Sequence, residues 1–268
     1  MSDQPWQLAK FRQSLKKQQK LQALLKFLGN DQDQTYLLLT YGDNDGALNW
    51  HFRSHGGCWF WGDLDQENLD QIANLLNEPV LHLKEDDLPF PDVYFDYVIS
   101  IDVLEHLDQD QYILREIFRI LKPGGKIIIT VPNGDPNLLA NKIKWSVGMT
   151  PEVYGHTRAG YTLEELQNSV SLAGFCPIGE GGYSRFFTEI VELLINFSYT
   201  RLLSKKNDLS PGKIAPTSKD ELKQHGLAFR LYSLVYPILW MVSRLDFVLP
   251  SKTNNAVIVA ATKPDGRV

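Results

Sequence analysis

The stretch that decides the fold runs from Leu88 to Asn133; it opens LPFPDVYFDYVISIDVLEHL and closes LKPGGKIIITVPN. The apolar runs at 96–101 and 126–131 are typical of strands buried in a parallel sheet. A helix is predicted between them, because one apolar stripe recurs there at helical spacing. That stripe consists of Ile113, Leu114, Ile117, Phe118 and Leu121. A strand, a crossover helix and a second strand indicate an open α/β sheet, which binds small charged ligands at the carboxyl ends of its strands.

Further strands are predicted on both sides of this stretch. Short apolar runs at 35–41, 58–61 and 80–83 precede it, and the run NAVIVAAT at 255–262 lies near the end of the sequence. Helical patterns separate the earlier runs. Strands that alternate with helices at this spacing form a parallel sheet through right-handed crossovers.

A first helix is predicted over 5–29, where leucines recur at i, i+3, i+4 and i+7. Its other face is basic and carries Lys10, Arg12, Lys16, Lys17, Lys20 and Lys26. Such a helix either packs on the core with a solvated basic face or lies on an anionic membrane. A capping box of Thr162 and Glu165 predicts the start of another helix.

Four segments follow from these patterns. They are an N-terminal amphipathic helix (1–30), an α/β core (31–183), a helical insertion (184–254), and the last strand with its tail (255–268).

Composition narrows the class of protein. The chain has 268 residues, of which 43% are hydrophobic, so it can bury a sizeable core. Its formal net charge of −5 favours no nucleic-acid partner. Two cysteines are too few for a disulfide framework or a zinc site. The first residues lack the plan of a signal peptide, so we expect a cytoplasmic location.

The insertion is strongly apolar. The run from Leu231 to Ser243 has thirteen residues without a charge, whereas a spanning helix needs about 20. Pro237 would also kink it, so we expect no transmembrane segment. Three interpretations remain: a lid over a lipophilic pocket, a surface at 227–249 that contacts a membrane peripherally, and a dimer contact or plain core. The sequence leaves the oligomeric state open.

A glycine-bearing turn follows the first strand. Gly42 and Gly46 enclose Asp43, Asn44 and Asp45. A dinucleotide fingerprint would place glycines at 42, 44 and 47, and aspartates beside a pyrophosphate would repel it. A ligand with a cationic centre therefore suits this turn better; the alternative is a tight acidic turn without a ligand.

Acidic residues also follow the other strands. Asp63 ends the second strand, where a carboxylate can accept hydrogen bonds from ribose hydroxyls. Asp86 and Asp87, with Glu85, follow the third strand and either contact an adenine amino group or belong to a solvated loop. Asp102, Glu105 and His106 follow the fourth.

The sequence motifs LPF, FDYVIS, VLEHL and LKPGG resemble the second half of a class I S-adenosylmethionine-dependent methyltransferase domain of the type 11 family. The whole resemblance covers roughly residues 36–133. The resemblance implies a Rossmann-like three-layer sandwich, whose mostly parallel seven-stranded sheet has an antiparallel last strand, plus the helical insertion. It implies S-adenosyl-L-methionine as cofactor. The implied cofactor contacts are Tyr41, Gly42, Asp43, Asn44, Gly46, Asp63, Leu64, Asp86, Asp87 and Asp102.

Two positions depart from the family pattern. Thr40 stands where members have an acid, and Asn44 stands at the middle glycine. We therefore hypothesise that Asp43 takes over the role of the acid. The alternative function is a catalytically degenerate, methyltransferase-like binding protein. A nicotinamide dehydrogenase is disfavoured by the glycine spacing.

The segment VYGHTRAGY at 153–161 resembles a subset of the family in which it lies over the donor methyl. Tyr154, His156, Arg158 and Tyr161 are therefore expected to contact a small-molecule or lipid-like acceptor. A hydroxyl acceptor needs a base, for which His156 comes first and His106 second. We expect a metal-independent enzyme, because the sequence shows no cluster of metal ligands.

Overall fold

The computed structural model describes residues 5–29, 32–42, 44–200, 226–248 and 253–266. Its strands are β1 (Thr35–Thr40), β2 (Cys58–Asp63), β3 (Leu81–His82), β4 (Phe95–Ile101), β5 (Leu121–Pro132), β6 (Cys176–Tyr183) and β7 (Ala256–Thr262). They form one seven-stranded sheet in the order β3-β2-β1-β4-β5-β7-β6. β7 pairs antiparallel with β5 and β6, and the other neighbours pair in parallel. The predicted α/β class and the antiparallel last strand are confirmed.

Helices lie on both faces of the sheet. They are α1 (Trp6–Phe11), α2 (Leu15–Leu25), α3 (Ala47–Arg53), α4 (Leu69–Leu76), α5 (Asp110–Ile120), α6 (Leu139–Ser146), α7 (Leu163–Leu172), α8 (Phe186–Ser198) and α9 (Gly226–Arg244). Single turns of 3₁₀ helix span Leu104–His106, Pro151–Tyr154 and Leu245–Phe247. The capping box predicted for α7 is present, with both the Thr162 and the Glu165 bonds made.

β1 shows why the sheet is buried on both faces. Leu37 and Leu39 pack with α5 and α7 in one core, and Tyr36 and Leu38 pack with α2 and α3 in the other. Successive side chains of a strand point to opposite faces, so a strand covered on both sides is apolar throughout. The three-layer arrangement follows from this double burial.

The N-terminal helix differs from its prediction. The pattern over 5–29 is split into α1 and α2, with Ser14 in an extended conformation before α2. Phe11 and Leu15, on either side of the break, are both buried. The break lets α1 pack on α3 while α2 contacts α3, β6 and α8.

One strand escaped prediction and one boundary differs. β6 reads CPIGEGGY and has Ile178 as its single β-branched residue, yet it pairs along its length with β7. A Cβ at Gly179 or Gly181 would lie 3.2 or 3.1 Å from the Phe27 ring, so the glycines admit that ring. Leu121, predicted in the stripe of α5, begins β5 instead.

The insertion contributes α8, which packs on α2 and α6, and α9, which packs on α8. In the part of the chain that the structure describes, we find no helix with the length and apolar character to cross a bilayer. Residues 201–225 and 249–252 of the insertion, and Asp43 of the glycine turn, lie outside the described residues. The division into four segments stays a prediction.

Candidate active site

The candidate site lies where the chain reverses direction across the sheet. β1 and β4 are neighbours, and successive strands lead away from them toward opposite edges. Such a switch point leaves a crevice at the strand carboxyl ends, where ligands bind in open α/β sheets. The Tyr41 ring, just after β1, stacks on the His106 ring, beyond β4, with centroids 4.3 Å apart and planes 3° from parallel. The structure therefore brings two predicted site residues together.

The Gly42–Gly46 turn requires its glycines. Gly42 has φ +64° and Gly46 has φ +85°, in the left-handed region that favours glycine. A Cβ at Gly42 would also lie 2.9 Å from the Asp65 carboxylate. The Asn68 amide donates to Gly42 O at 2.7 Å and fixes the turn from below.

Asp63 is buried beneath the same turn. Its Oδ1 accepts from the backbone N–H groups of Gly42 (2.9 Å) and Asp65 (2.8 Å), and its Oδ2 accepts from the Thr40 hydroxyl (2.6 Å). Burial raises the pKa of this carboxyl, and the hydrogen bonds from Thr40 and Gly42 oppose that shift. Asp63 thus holds the turn in shape, and its contact with a ribose stays a prediction.

The two departures from the family pattern contact each other. The Asn44 amide donates to the Thr40 hydroxyl at 3.1 Å and to Asn49 Oδ1 at 3.0 Å. Asn44 is not among the described residues with a positive φ, so its position does not demand glycine. Thr40, Asn44 and Asp63 therefore form one buried polar network, which sequence patterns did not reveal.

Basic residues of the first two helices cover the turn. Asp45 pairs with Lys17 at 3.1 Å and with Lys10 at 3.4 Å. Burial would raise the pKa of Asp45, but the charges of Lys17 and Lys10 outweigh it and lower the pKa. Lys20 pairs with Asp102, whose φ is +50°. The face predicted to be solvated or membrane-bound therefore supplies ion pairs to the site.

The remaining predicted cofactor residues lie around this turn or farther out. Leu64, which follows Asp63 in the chain, donates its N–H to Thr40 O at 3.0 Å. Asp86 and Asp87 are exposed in the loop after β3, where Asp87 N donates to Lys84 O. Asp102 lies at the end of β4. The structure brings Tyr41, Gly42, Asn44, Gly46, Asp63 and Leu64 together and leaves Asp86 and Asp87 in solvent.

A second group of side chains lies beyond β4. Glu105, His106 and His156 each offer one ligand-type atom, and these atoms lie within 4.8 Å of one another. His106 and His156 meet edge to face with centroids 4.7 Å apart. Burial, and to a smaller extent the charge of His106, lowers the pKa of His156 to about 3. Burial and the charge of Asp102 raise the pKa of Glu105 well above its usual range.

The loop that carries His156 is fixed to this group by backbone bonds. Glu105 O accepts from Thr157 N at 2.9 Å, and Gly155 O accepts from His106 Nδ1 at 2.9 Å. The Tyr154 ring lies 5.8 Å from the His156 ring, and burial raises the pKa of Tyr154 to about 12. Tyr154, His156 and His106 therefore lie together, and their roles toward a substrate stay a prediction.

A cavity of about 70 Å³ adjoins Tyr154 and His156. It lies between the carboxyl end of β5, α6, the 151–159 loop, α2 and α8. Its charged and polar lining consists of Lys16, Asn133, Asn141, Lys144, Tyr154, His156, Glu189, Glu192 and Asn196. The insertion therefore closes one side of the pocket, and the wall that it supplies is polar rather than lipophilic.

An ion network holds that wall in place. Glu189 is buried and pairs with Lys16 at 2.7 Å and with Lys144 at 3.1 Å, and it accepts from the Ser184 hydroxyl at 2.6 Å. Burial alone would raise the pKa of Glu189, but the charges of Lys144 and Lys16 lower it to about 2. The sequence did carry a signal for this site, because Glu189 and Glu192 recur at i and i+3 in an otherwise apolar helix.

Comparison with known proteins supports a family. Residues 45–129 match the family described as a methyltransferase domain. A probable S-adenosylmethionine-dependent methyltransferase of Mycolicibacterium smegmatis is 38% identical over 116 residues, which cover 42% of this chain and 41% of that protein. A demethylmenaquinone methyltransferase of Listeria welshimeri is 38% identical over 66 residues, which cover 25% of this chain and 28% of that protein. The chain thus spans less than half the length of these relatives.

Solved structures agree in fold. A phosphoethanolamine N-methyltransferase of Haemonchus contortus, in complex with S-adenosylmethionine, has a TM-score of 0.55 at 20% identity, over 91% of this chain and 52% of that one. An S-adenosylmethionine-dependent methyltransferase of Mesorhizobium loti has a TM-score of 0.52 at 14% identity, over 89% of this chain and 95% of that one. Together with the sheet order they show the fold, and residues 45–129 are similar to a class I S-adenosylmethionine-dependent methyltransferase domain of the type 11 family.

Proposed function

We propose that the protein transfers a methyl group from S-adenosylmethionine to a small acceptor whose reacting end is polar. The observation that carries this proposal is the switch point between β1 and β4, where a left-handed glycine turn faces the His106–His156 group in a chain similar to this family. The cofactor residues are those predicted from the sequence. Asp63 must exchange one of its bonds to the turn for a ribose hydroxyl.

Methyl transfer is an in-line displacement that depends mainly on positioning and on exclusion of water. The acceptor atom attacks the methyl carbon, the bond from sulfur to that carbon breaks, and the sulfonium becomes a neutral sulfide. This displacement itself needs no metal ion. Tyr154 and His156 line the cavity and His106 lies against His156, which supports their contact with the acceptor. The base role of His156 stays a prediction.

The lining of the cavity favours a polar reacting end over a wholly lipophilic one. Buried charged walls are costly unless they are paired or meet a polar ligand. One relative's name specifies demethylmenaquinone as its substrate. A lipid-like acceptor with a polar head remains compatible with our proposal if only the head enters the cavity.

The surface of α9 supports a peripheral membrane contact, which we propose for residues 227–249. Large apolar side chains are exposed along this helix and the turn after it. They are Leu231, Leu234, Val235, Ile238, Trp240, Met241, Leu245, Phe247 and Val248. Contiguous exposed apolar surface of this kind marks an interaction site. The Arg244 guanidinium lies 4.4 Å from the centre of the Trp240 ring, an amphipathic pair typical of membrane interfaces.

Calorimetric titration of the whole chain with S-adenosylhomocysteine tests the proposed cofactor. We expect micromolar binding, and we expect Asp63→Asn to weaken it at least about tenfold through loss of charge-assisted hydrogen bonds. Asp70→Asn, an exposed acid of α4, is the matched control and should bind as the wild type does.

Two results would redirect the assignment. Absence of binding at millimolar concentration would favour the degenerate, methyltransferase-like binding protein. Binding of reduced nicotinamide without S-adenosylhomocysteine would favour a dehydrogenase. A chain that binds the cofactor is then assayed for methyl transfer with polar and lipid-like acceptors, which separates the two acceptor classes.

A further inference from the structure

Glu105 is a buried carboxyl group that no other described residue hydrogen-bonds. Its side chain has no exposed surface, and neither Oε1 nor Oε2 meets a donor from another of the residues that the structure describes. Most buried polar side-chain atoms in proteins are hydrogen-bonded, because an unpaired buried group is costly. The turn that carries Glu105 is nevertheless well fixed, since its carbonyl oxygen accepts from Thr157 and Arg158. The carboxylate therefore suits a ligand that is not protein.

Two imidazoles lie beside this carboxylate. A ligand atom of each lies within 4.8 Å of the other and of a Glu105 oxygen. His106 Nδ1 donates to Gly155 O at 2.9 Å, which places the proton on Nδ1 and the lone pair of the neutral ring on Nε2. Histidines that bind metals usually donate their other ring N–H to a carbonyl or carboxylate in this way.

We propose that Glu105, His106 and His156 bind a divalent transition-metal ion at the reaction end of the cleft. Two imidazoles and one carboxylate suit Zn²⁺, Co²⁺ or Fe²⁺ and leave positions open for a substrate or water. Metal–ligand bonds of about 2.0–2.2 Å require the three ligand atoms to draw together from their present separations.

No metal-ligand spacing is visible in the sequence, because His156 follows His106 by fifty residues and is brought near it by backbone bonds such as those of Gly155 and Thr157. The proposed metal site differs from the metal-independent enzyme that the sequence analysis expects. The charges of Asp102, Lys20 and Lys16 all act on Glu105, and Lys20 is itself paired with Asp102. Asp102 partly offsets the repulsion that these lysines exert on a cation.

A role for the ion in methyl transfer rests on the proposed function. A bound divalent ion lowers the pKa of a coordinated hydroxyl. A hydroxyl acceptor on the ion would lose its proton to water, and its oxygen would then attack the methyl carbon as the sulfur leaves as a neutral sulfide. In this arrangement His106 and His156 serve as ligands and do not act as the base.

Cobalt titration of the chelator-treated whole chain tests the site, with Co²⁺ as the probe. We expect one ion per chain and a visible absorption band from nitrogen and oxygen ligation. His156→Gln should weaken binding at least about tenfold, as losses at metal sites do. His82→Gln, an exposed histidine of β3, is the matched control and should leave the titration unchanged. No binding, or equal loss in both variants, would overturn the proposal.

Glu105→Leu separates a ligand from a structural side chain. In the metal-free protein this variant should melt no lower than the wild type, because it removes an unpaired buried carboxylate. It should nevertheless lose Co²⁺ binding at least about tenfold. A lower melting temperature together with unchanged Co²⁺ binding would assign Glu105 to the fold and overturn the proposal. Titration of the metal-free chain with S-adenosylhomocysteine reports separately whether the cofactor assignment holds.

Discussion

The insertion places charged and polar side chains on its inner side and apolar side chains on its outer side, the opposite of the usual arrangement in a folded protein. On its inner side, α8 presents Glu189, Glu192 and Asn196 to the cavity. On its outer side, α9 and the turn after it expose apolar side chains, with Leu234 at 75% and Phe247 at 73% of their full exposure. Core packing alone explains neither face, because apolar side chains gain free energy by leaving water and buried charges lose it. The contrast indicates two surfaces for ligands, a polar one inside and an apolar one outside.

One residue connects the two faces. Asp246, in the turn after α9, accepts from the backbone N–H groups of Phe187 (2.7 Å) and Thr188 (3.1 Å) and from the Thr188 hydroxyl (2.7 Å). It thereby supplies the N-terminal cap that α8 lacks in its own sequence. The outer helix thus helps to hold the inner wall in position.

Removing the charge of Glu189 should have the largest effect. Glu189→Gln leaves Lys16 and Lys144 facing each other without their shared carboxylate, so we expect unfolding free energy to fall by about 3–5 kcal/mol. Urea denaturation measures the change. Glu164→Gln, an exposed acid of α7, should stay within about 0.5 kcal/mol of the wild type. A small effect at Glu189 would mean that the inner face is not held by charge.

Acid should weaken the ion network of Glu189 on the inner face and so lower the free energy of unfolding. The pKa of Glu189 is about 2 in the folded chain, below its ordinary value of 4.5. Its contribution is therefore complete above about pH 4.5 and is lost as the pH falls toward 2, on the order of 3 kcal/mol in all. Unfolding free energies measured across this range should fall less steeply in Glu189→Gln. Parallel profiles for the two proteins would contradict the assignment.

The outer face should bind lipid. We expect the chain to sediment with vesicles of phosphatidylcholine and phosphatidylglycerol. Leu234→Glu and Ile238→Glu should each lower binding roughly tenfold, because each replaces about 1–2 kcal/mol of apolar burial. Leu172→Glu, at a leucine of α7 that is 80% exposed, should change nothing. Equal loss with Leu172→Glu, or no sedimentation of the wild type, would leave this face to another partner.

The connection between the faces should have the smallest effect. Asp246→Ala removes the cap of α8, so we expect a loss of about 1–2 kcal/mol in unfolding free energy. Asp246→Asn keeps an acceptor oxygen and should lose less. Thermal or urea unfolding of the pair gives the comparison, and identical losses would show that the charge of Asp246, and not its hydrogen bonds, stabilises the helix.

Local patterns predicted most of the sheet. β1, β2, β3, β4 and β7 lie within a few residues of their predicted positions, because a buried parallel strand is a short apolar run between turn signals. β6 was missed since its glycines serve the packing of Phe27, which no local pattern records. The split between α1 and α2 was missed for a similar reason, because leucine spacing continues through the break.

The site was predicted unevenly. The glycine turn and the strand-end acid Asp63 are present where the sequence places them, because backbone geometry and a strand end restrict the residue type locally. The partnership of Thr40 with Asn44 was not, since two unusual residues become complementary only when their side chains meet. The lysines of α1 and α2 could not be assigned to Asp45 and Asp102 from charge alone.

The sequence by itself determined most of the strands, the resemblance to a family and the place of the glycine turn, because these depend on short-range periodicity and backbone preference. Only the tertiary structure decided which distant side chains share a site. Glu105, His106 and His156 form one cluster, and Lys16, Lys144 and Glu189 form another, across separations that no local pattern records. The physical reason is range: propensities act over a few residues, whereas ion pairs and ligand clusters act between atoms that the fold alone brings near.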